Sequence, residues 1–477
     1  MAEQKDILRY ASPNEQRTIS REDLGFYYGV IVGATYKLPN EFDAGTLASH
    51  YSPLRSCIEK YTYMSVVVED MHTDKAWYRR VSSINMDQHI TILEMFEDKD
   101  PLQRIEQIME SNLDVPFISG IPPWRVIVLP LTNGCFIAFS FSHTIGDGMN
   151  GTAFHRTFLE SCRNPSDGAR LVSPNITIRP HPLPAPFDTP ERLPISWSFL
   201  LSPLLALFVP PFLFKLFNLR TSASLADAGT WTGPLVTVGS KLVNTRVKLR
   251  EVSAPVLTHA LKVARKHDAK FTGLFQQLVS RALSKHLADP SIKNFVSASA
   301  INMRKSIGIS DDQDGLFASG CYIMHPRHTT PLSPGLTEED WTMASSSTQK
   351  LAKASSTLQD QAIGLLRYAP SIRSWLAGKV GKNRDCSFEV SNLGAFHDFG
   401  HDLEKEGGEG RITQMVFSTP GEVLTGPLIF RLISVRDGPL VYSVSWKAGV
   451  LDAGGLDAER FVEAVCESIE RDLEVLE

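Results

Sequence analysis

Two apolar runs, Trp124-Arg-Val-Ile-Val-Leu129 and Cys135-Phe-Ile-Ala-Phe-Ser-Phe-Ser-His143, flank Thr132-Asn133-Gly134. Asn-Gly between strand-like runs is a strong hairpin signal, because both positions tolerate positive φ. A period of two places Cys135, Ile137, Phe139, Phe141 and His143 on one face of the second strand, with His143 at its C-terminal end. A turn containing Gly146 and Gly148 follows, and then the period changes. Phe154, Phe158 and Cys162 recur at i, i+4 and i+8, which predicts a helix over 151–162 with Asp147 or Asn150 as its cap.

The second half restarts with helical patterns over 254–267 and 271–287, the latter striped by Leu274, Leu278 and Ala282. A strand over 295–303 and a less regular stretch to about Arg384 come next. A hairpin around Asp437-Gly438 joins 428–435 to 440–446, and 457–476 reads as a final amphipathic helix. Strands interleaved with helices, without a glycine-rich phosphate loop, predict an α/β chain of the α+β type with mixed sheets. The Pro-rich, apolar segment 181–235 lacks a sustained period and suits a crossover between an N-terminal half, 1–180, and a C-terminal half, 236–477.

A chain of 477 residues exceeds what one ordinary core supports. Its net charge of -5 comes from 48 basic and 53 acidic residues interspersed along the chain, which argues against nucleic-acid binding. The six cysteines form no CxxC pair, so buried, reduced thiols are expected. Residues 1–21 lack the apolar core of a signal peptide, so a cytoplasmic location is expected, with the sequons at Asn150 and Asn175 unused. Pro194 to Phe214 carries no charge, yet Pro203, Pro210 and Pro211 each remove a backbone donor. A buried segment or a peripheral membrane contact through 194–214 is expected rather than a span.

Histidine is a natural general base near neutrality, and His143 leaves its strand into a glycine-bounded turn where exposure is expected. Asp147, four residues later, is placed to fix that turn. His397, Asp398, His401 and Asp402 are metal-ligand types, but the acidic and glycine-rich residues after them suggest a solvated loop, so no metal is expected. His155 reads as exposed or structural. Tyr322, His325 and Arg327 are candidates for lining a channel, with no pattern that makes them catalytic.

Ser142-His143-Thr144-Ile145-Gly146-Asp147-Gly148 resembles the HxxxDG motif of the CoA-dependent acyltransferase superfamily, which includes BAHD enzymes, chloramphenicol acetyltransferase, condensation domains and fungal alcohol acetyltransferases. The segments Leu24-Gly25-Phe26, Pro123-Trp124-Arg125, Phe271-Thr272-Gly273-Leu274, Ala300-Ile301-Asn302-Met303-Arg304, Val390-Ser391-Asn392-Leu393-Gly394 and Val444-Ser445-Trp446 stand in the order of the fungal alcohol acetyltransferase branch. The likeness spans nearly the whole chain.

It implies two chloramphenicol-acetyltransferase-like domains joined by a crossover, with an active-site channel between them and His143 midway along it as base. It implies also that Asp147 points away from substrate and pairs with Arg304, both supporting the motif with Gly148. Ser391 and Asn392 stand where BAHD enzymes carry a Ser/Thr-Trp pair, which makes them oxyanion or substrate contacts, or a turn closed by Gly394. The BAHD signature DFGWG is absent, since Asp398-Phe399-Gly400 continues into His401-Asp402.

The implied reaction moves an acetyl or other short acyl group from acyl-CoA, a co-substrate rather than a resident cofactor, to a hydroxyl of a small hydrophobic acceptor, in a monomer. Amine acylation, a carrier-protein thioester and a catalytically silent binder are the alternatives. Condensation domains usually carry a second histidine at the position of Ser142.

Overall fold

The computed structural model describes residues 7–38, 42–97, 100–164, 173–201, 223–237, 244–329, 332–398, 410–451 and 457–476. In the N-terminal half lie β1 (Arg9–Tyr10), α1 (Pro13–Asp23), β2 (Gly29–Lys37), α2 (Leu47–Lys60), β3 (Val66–Glu69), β4 (Trp77–Arg80), β5 (Ser83–Asn85), β6 (Ile90–Ile92), α3 (Leu102–Leu113), β7 (Trp124–Leu131), β8 (Gly134–Ser142) and α4 (Gly148–Arg163). After β9 (Asn175–Thr177) come β10 (Thr245–Val252), α5 (Ala254–Lys266), α6 (Phe271–His286), β11 (Asn294–Asn302), β12 (Ala318–Pro326), α7 (Glu338–Ser356), α8 (Ile372–Ala377), β13 (Phe388–Phe396), β14 (Arg411–Ser418), β15 (Leu428–Val435), β16 (Leu440–Lys447) and α9 (Ala458–Glu474).

The motif-bearing strand sits inside a mixed sheet of order β14-β2-β8-β7-β6, antiparallel except where β6 meets β7. Cys135, Ile137, Phe139 and Phe141 share one core with α2 and α4, while Phe136 and Ala138 point into a second core with α3. Both faces of β8 are therefore buried, which is why the run reads as almost continuously apolar. β14 comes from the C-terminal half and adds the edge strand beyond β2. The other large sheet, β10-β16-β15-β13-β11-β12, packs α5, α6 and α9 against one face, with parallel pairs at β11–β13 and β13–β15.

The first hairpin departs in detail from the sequence expectation. Leu131 lies opposite Gly134, so Thr132 and Asn133 alone make the loop, and neither has positive φ. Gly134 carries φ +135 inside the strand, where an added Cβ would sit 1.9 Å from the Tyr36 carbonyl oxygen. Only glycine fits there.

The stretch read as irregular up to Arg384 in fact holds β12, the 19-residue α7 and α8. The sequence Glu338-Glu-Asp-Trp-Thr-Met-Ala-Ser-Ser-Ser hides α7, because Trp341 and Ala344 are its buried apolar residues and Asp340 and Ser347 complete the buried face. Asp340 is stabilised there by an ion pair with buried Arg281, which also reaches Asp472 at 3.1 Å.

In the crossover, Phe187 and Leu193 bury against Ile301, Met303 and Phe317 of the C-terminal half. Residues 202–214 of the uncharged segment lie outside the described residues. Its described part is mixed, since Ile195 packs on Gly364 while Trp197 is 78% exposed. Among the described residues no helix is long and apolar enough to cross a membrane. The six cysteines are unpaired and all but the half-buried Cys321 are buried.

Four buried or half-buried histidines are held neutral by burial: His89, His143 and His155 are pulled down to about 4 and His325 to about 3. His155, read from sequence as exposed or structural, is fully buried, with Nδ1 2.7 Å from the Tyr36 hydroxyl and Nε2 2.9 Å from the Val32 carbonyl oxygen. An unfolded histidine takes its proton near 6.5 and these folded ones near 4 or below, so the unfolded chain binds more protons between those values. Stability is fully present above pH 6.5 and should fall steeply from 6.5 towards 4, as denaturant unfolding across that range would measure. A midpoint that stays flat between pH 7 and 5 would contradict the assignment.

Candidate active site

His143 follows the last residue of β8, where the chain turns through Thr144–Gly146, with the Ile145 N–H donating to the Ser142 carbonyl at 3.1 Å. The ring is half-buried, which corrects the exposure expected from sequence, and Tyr27 covers it with ring centres 5.5 Å apart. Nδ1 lies 2.8 Å from the Gly146 carbonyl oxygen. A carbonyl only accepts, so that bond assigns the proton to Nδ1 and leaves Nε2 as the acceptor nitrogen. Nε2 has no hydrogen-bond partner among the described residues. Burial lowers the affinity of the ring for a proton, helped by the guanidinium charges of Arg21 and Arg17 and opposed by Asp147 and the Gly146 carbonyl.

Asp147 is the N-cap of α4, its Oδ1 accepting from the Met149 N–H at 3.1 Å. Its Oδ2 accepts from Arg304 Nη1 at 2.9 Å and from the Phe317 N–H at 2.8 Å. Both oxygens are thus committed away from the imidazole. Arg304 is fully buried, and its remaining donors reach the Gln313 carbonyl at 2.9 Å, the Gly315 carbonyl at 3.1 Å and Asn150 Oδ1 at 3.2 Å. The Asp147–Arg304 pair therefore fastens the start of α4 to the segment after β11. Gly148 opens α4, and an added Cβ would lie 2.7 Å from Leu393 Cδ2 and 3.2 Å from the Phe417 ring. The glycine lets β13 and β14 approach the motif.

That approach brings Ser391 and Asn392 to the same region. The β13–β15 register shifts between Asn392 and Ala395, a bulge next to Gly148, and Gly394 carries φ +79. Asn392 is spent internally, its Nδ2 donating to Thr272 Oγ1 at 3.2 Å and its Oδ1 accepting from the Gly394 N–H at 2.8 Å. The Ser391 side chain is largely buried.

The structure adds residues that no sequence pattern singled out. α1 is polar almost throughout, yet Asn14, Glu15, Gln16, Thr18, Ser20 and Arg21 are buried, so amphipathic period carried no signal there. Arg21 pairs with Glu422, and its guanidinium lies 4.5 Å over the Tyr27 ring. Arg431 pairs with Glu389 at 2.8 Å and donates to Thr419 Oγ1 at 3.0 Å. Glu22 accepts from the Ser142 hydroxyl, which is 2.7 Å from Thr144 Oγ1, and burial pushes the Glu22 carboxyl up to about 8.

Other residues named from sequence are occupied elsewhere. His325 Nε2 is 2.9 Å from Ser297 Oγ, and Arg327 donates to main-chain carbonyls, including Ile292 at 3.2 Å. Tyr322 is half-buried on β12, within electrostatic reach of Arg17. Asp398 pairs with Arg163. His401 and Asp402 lie outside the described residues, and among the described residues no cluster of three metal-ligating side chains occurs.

Residues 58–463 match the family described as alcohol acetyltransferase. The probable alcohol acetyltransferase FCK4 of Fusarium pseudograminearum is 23% identical, over 95% of this chain and 94% of that protein. The probable alcohol acetyltransferase crmB of Aspergillus fumigatus is 21% identical, over 92% and 95%. Among solved structures, the TRI3 trichothecene 15-O-acetyltransferase of Fusarium sporotrichioides superposes with a TM-score of 0.67 at 14% identity, covering 97% of this chain and 94% of that one. The starter condensation domain of rhizomide synthetase RzmA, in complex with C8-CoA and Leu-SNAC, gives 0.58 at 11% identity, over 98% and 96%. These likenesses show the fold shared by acetyltransferases and condensation domains. With the match running through most of its length, this chain belongs to the alcohol acetyltransferase family.

Proposed function

We propose that this acyltransferase moves an acetyl or other short acyl group from acyl-CoA to a hydroxyl of a small, hydrophobic acceptor, with His143 as general base. The observation that carries the reading is the His143 ring: Nδ1–H is tied to the Gly146 carbonyl, and Nε2 is left neutral and, among the described residues, unpartnered. The names of the relatives, probable alcohol acetyltransferases and a 15-O-acetyltransferase, support a hydroxyl acceptor, and the RzmA domain with C8-CoA supports an acyl-CoA donor. Ser142 in place of a second histidine, engaged with Glu22, favours this over condensation chemistry.

The acceptor O–H gives its proton to Nε2 as the oxygen attacks the thioester carbon. The tetrahedral adduct collapses by breaking the C–S bond, and the imidazolium returns the proton to the CoA thiolate. No acyl-enzyme is required, because aligning both reactants at one base already lowers the barrier. We assign the Ser391 hydroxyl, beside the Gly148 approach, to the oxyanion or the substrate, and Asn392 to the turn that holds Ser391. The test is release of free thiol from acetyl-CoA with a panel of alcohols. Release is expected only with an acceptor, and its absence with every alcohol would remove the reading.

The protein is proposed to act as a cytoplasmic monomer that touches membranes peripherally through 194–214. Trp197 is the described residue that supports contact, an exposed indole next to an uncharged run. Trp197→Ser should reduce co-sedimentation with lipid vesicles while leaving the unfolding midpoint close to wild type, since an exposed side chain contributes little packing. Equal vesicle binding by both proteins would count against the membrane contact.

A further inference from the structure

Arg17 and Arg21 are one helical turn apart on α1 and share a face. Among the described residues the charged groups around Tyr27 and His143 are Arg17 and Arg21 from α1, Glu422 from the loop after β14, Glu389 from β13, Arg431 from β15 and Asp147 from the motif turn, with the Tyr322 phenol on β12, while the Glu22 carboxyl bonded to Ser142 is pushed up to about 8 by burial and adds no charge at neutral pH. Asp147 is balanced by Arg304. Arg21 takes Glu422 and Arg431 takes Glu389, which among the described residues leaves the positive charge of Arg17 in excess. Arg384, buried beyond Glu422 with Nη1 on the Pro234 carbonyl, adds positive charge rather than cancelling it.

Arg17 is half-buried, and among the described residues its only partner is Asn14 Oδ1, reached from Nε at 3.4 Å and from Nη2 at 3.2 Å. No carboxylate lies within ion-pairing distance of it among the described residues. A guanidinium drawn partly out of water, with no counter-ion among the described residues, is disfavoured. This one also works against the base, since its charge lowers the affinity of His143 for the proton that the reaction must move. A ligand anion beside Arg17 removes both penalties at once.

We propose that Arg17, one turn from the Arg21 that lies over the Tyr27 ring covering His143, forms an anion-binding subsite and takes a carboxylate carried close to the reacting carbon, on the acyl group or on the acceptor. The inference rests on the acyl-transfer reading and names a substrate class for it. The phosphates of CoA do not meet the requirement. The pantetheine arm keeps them far from a thioester that reaches His143, whereas Arg17 acts on His143 itself.

The experiment crosses acetyl-CoA and malonyl-CoA with paired neutral alcohols and hydroxy acids of matched skeleton, reading thiol release for the wild type, Arg17→Gln and Arg17→Lys. The wild type should prefer a carboxylate-bearing pair by about 10- to 100-fold in kcat/KM, as one charge-assisted bidentate contact provides. Preference for malonyl-CoA places the carboxylate on the acyl group, and preference for the hydroxy acid places it on the acceptor. Arg17→Gln should abolish the preference and raise the acid limb of kcat/KM above the wild-type value, with burial and Arg21 still holding it below that of a free histidine, and Arg17→Lys should keep part of the preference and the low acid limb. In the wild type the acid limb of kcat with the preferred pair should lie above that of kcat/KM, because the bound carboxylate restores the basicity of His143. Free malonate should also inhibit turnover of a neutral pair in the wild type, a readout that needs no variant. Neutral pairs turned over as well as anionic ones, a preference that survives in Arg17→Gln, or no inhibition by malonate would each overturn the subsite while leaving acyl transfer in place. Absence of thiol release with every pair would remove the acyl-transfer reading and the subsite together.

Discussion

His143→Ala is expected to lower kcat by about 10²–10⁴-fold with little change in KM for acyl-CoA, because a general base acts on a proton in flight and contributes little to ground-state binding. Among the described residues no neighbouring group is free to replace it. The Tyr27 hydroxyl is pushed up to about 12 by burial, the oxygens of Asp147 are held by Met149, Phe317 and Arg304, and Glu22 is engaged by Ser142. The pH dependence should carry the same signature. A free histidine would lose its base form below about 6.5, whereas His143, pulled down to about 4, should keep kcat/KM with neutral substrates level to well below that value. Steady-state kinetics on a variant with a wild-type unfolding midpoint measure the first effect, and short assays across pH 4–8 measure the second. Near wild-type turnover by a folded His143→Ala protein would exclude the mechanism.

The part of the site that was legible in the sequence is the part written in one local segment. Alternation along 135–141, glycines at 146 and 148 and the helical stripe of Phe154 and Phe158 place His143 at a strand end and Asp147 at a helix start, and the structure has both. Three kinds of feature escaped. α7 buries only two apolar residues and satisfies Asp340 through Arg281, so neither period nor composition marked it as a helix. β14 pairs with β2, nearly 400 residues away in sequence, and the register that brings Met415 opposite Ala34 has no local trace. Of the buried charges of α1, Arg21 is compensated by Glu422 from the loop after β14 and Glu15 accepts from the Tyr63 hydroxyl, so each reads as an ordinary surface residue until the chain is folded. Long-range polar compensation is what a single sequence does not display, and here it surrounds the base.

Asp147→Ala and Arg304→Ala should each destabilise the protein by roughly 3–5 kcal/mol, the range for removing one partner of a buried ion pair. The geometry says what each variant leaves stranded. Without Asp147, the fully buried Arg304 keeps its main-chain acceptors at Gln313 and Gly315 but loses its counter-ion, and the N–H groups of Met149 and Phe317 lose their acceptor. Without Arg304, the carboxylate retains two main-chain donors, the Gln313 and Gly315 carbonyls lose the guanidinium, and Asn150 Oδ1 keeps the Asp147 N–H at 3.2 Å. Because each single variant pays for one uncompensated charge that the double variant does not contain, the double substitution should cost less than the sum by about 1–3 kcal/mol in a denaturant-unfolding cycle. Asp147→Asn should fall between wild type and Asp147→Ala, since one amide oxygen can still accept from Arg304 and Phe317 while the amide nitrogen meets the Met149 N–H and gives up the cap. The activity loss should follow the stability loss, because the pair holds α4 and the turn that positions His143, and neither Asp147 oxygen bonds to the imidazole. A catalytic relay would instead change the pH dependence of kcat with little effect on unfolding. Strictly additive costs in the cycle would mean that the two side chains do not act as a pair.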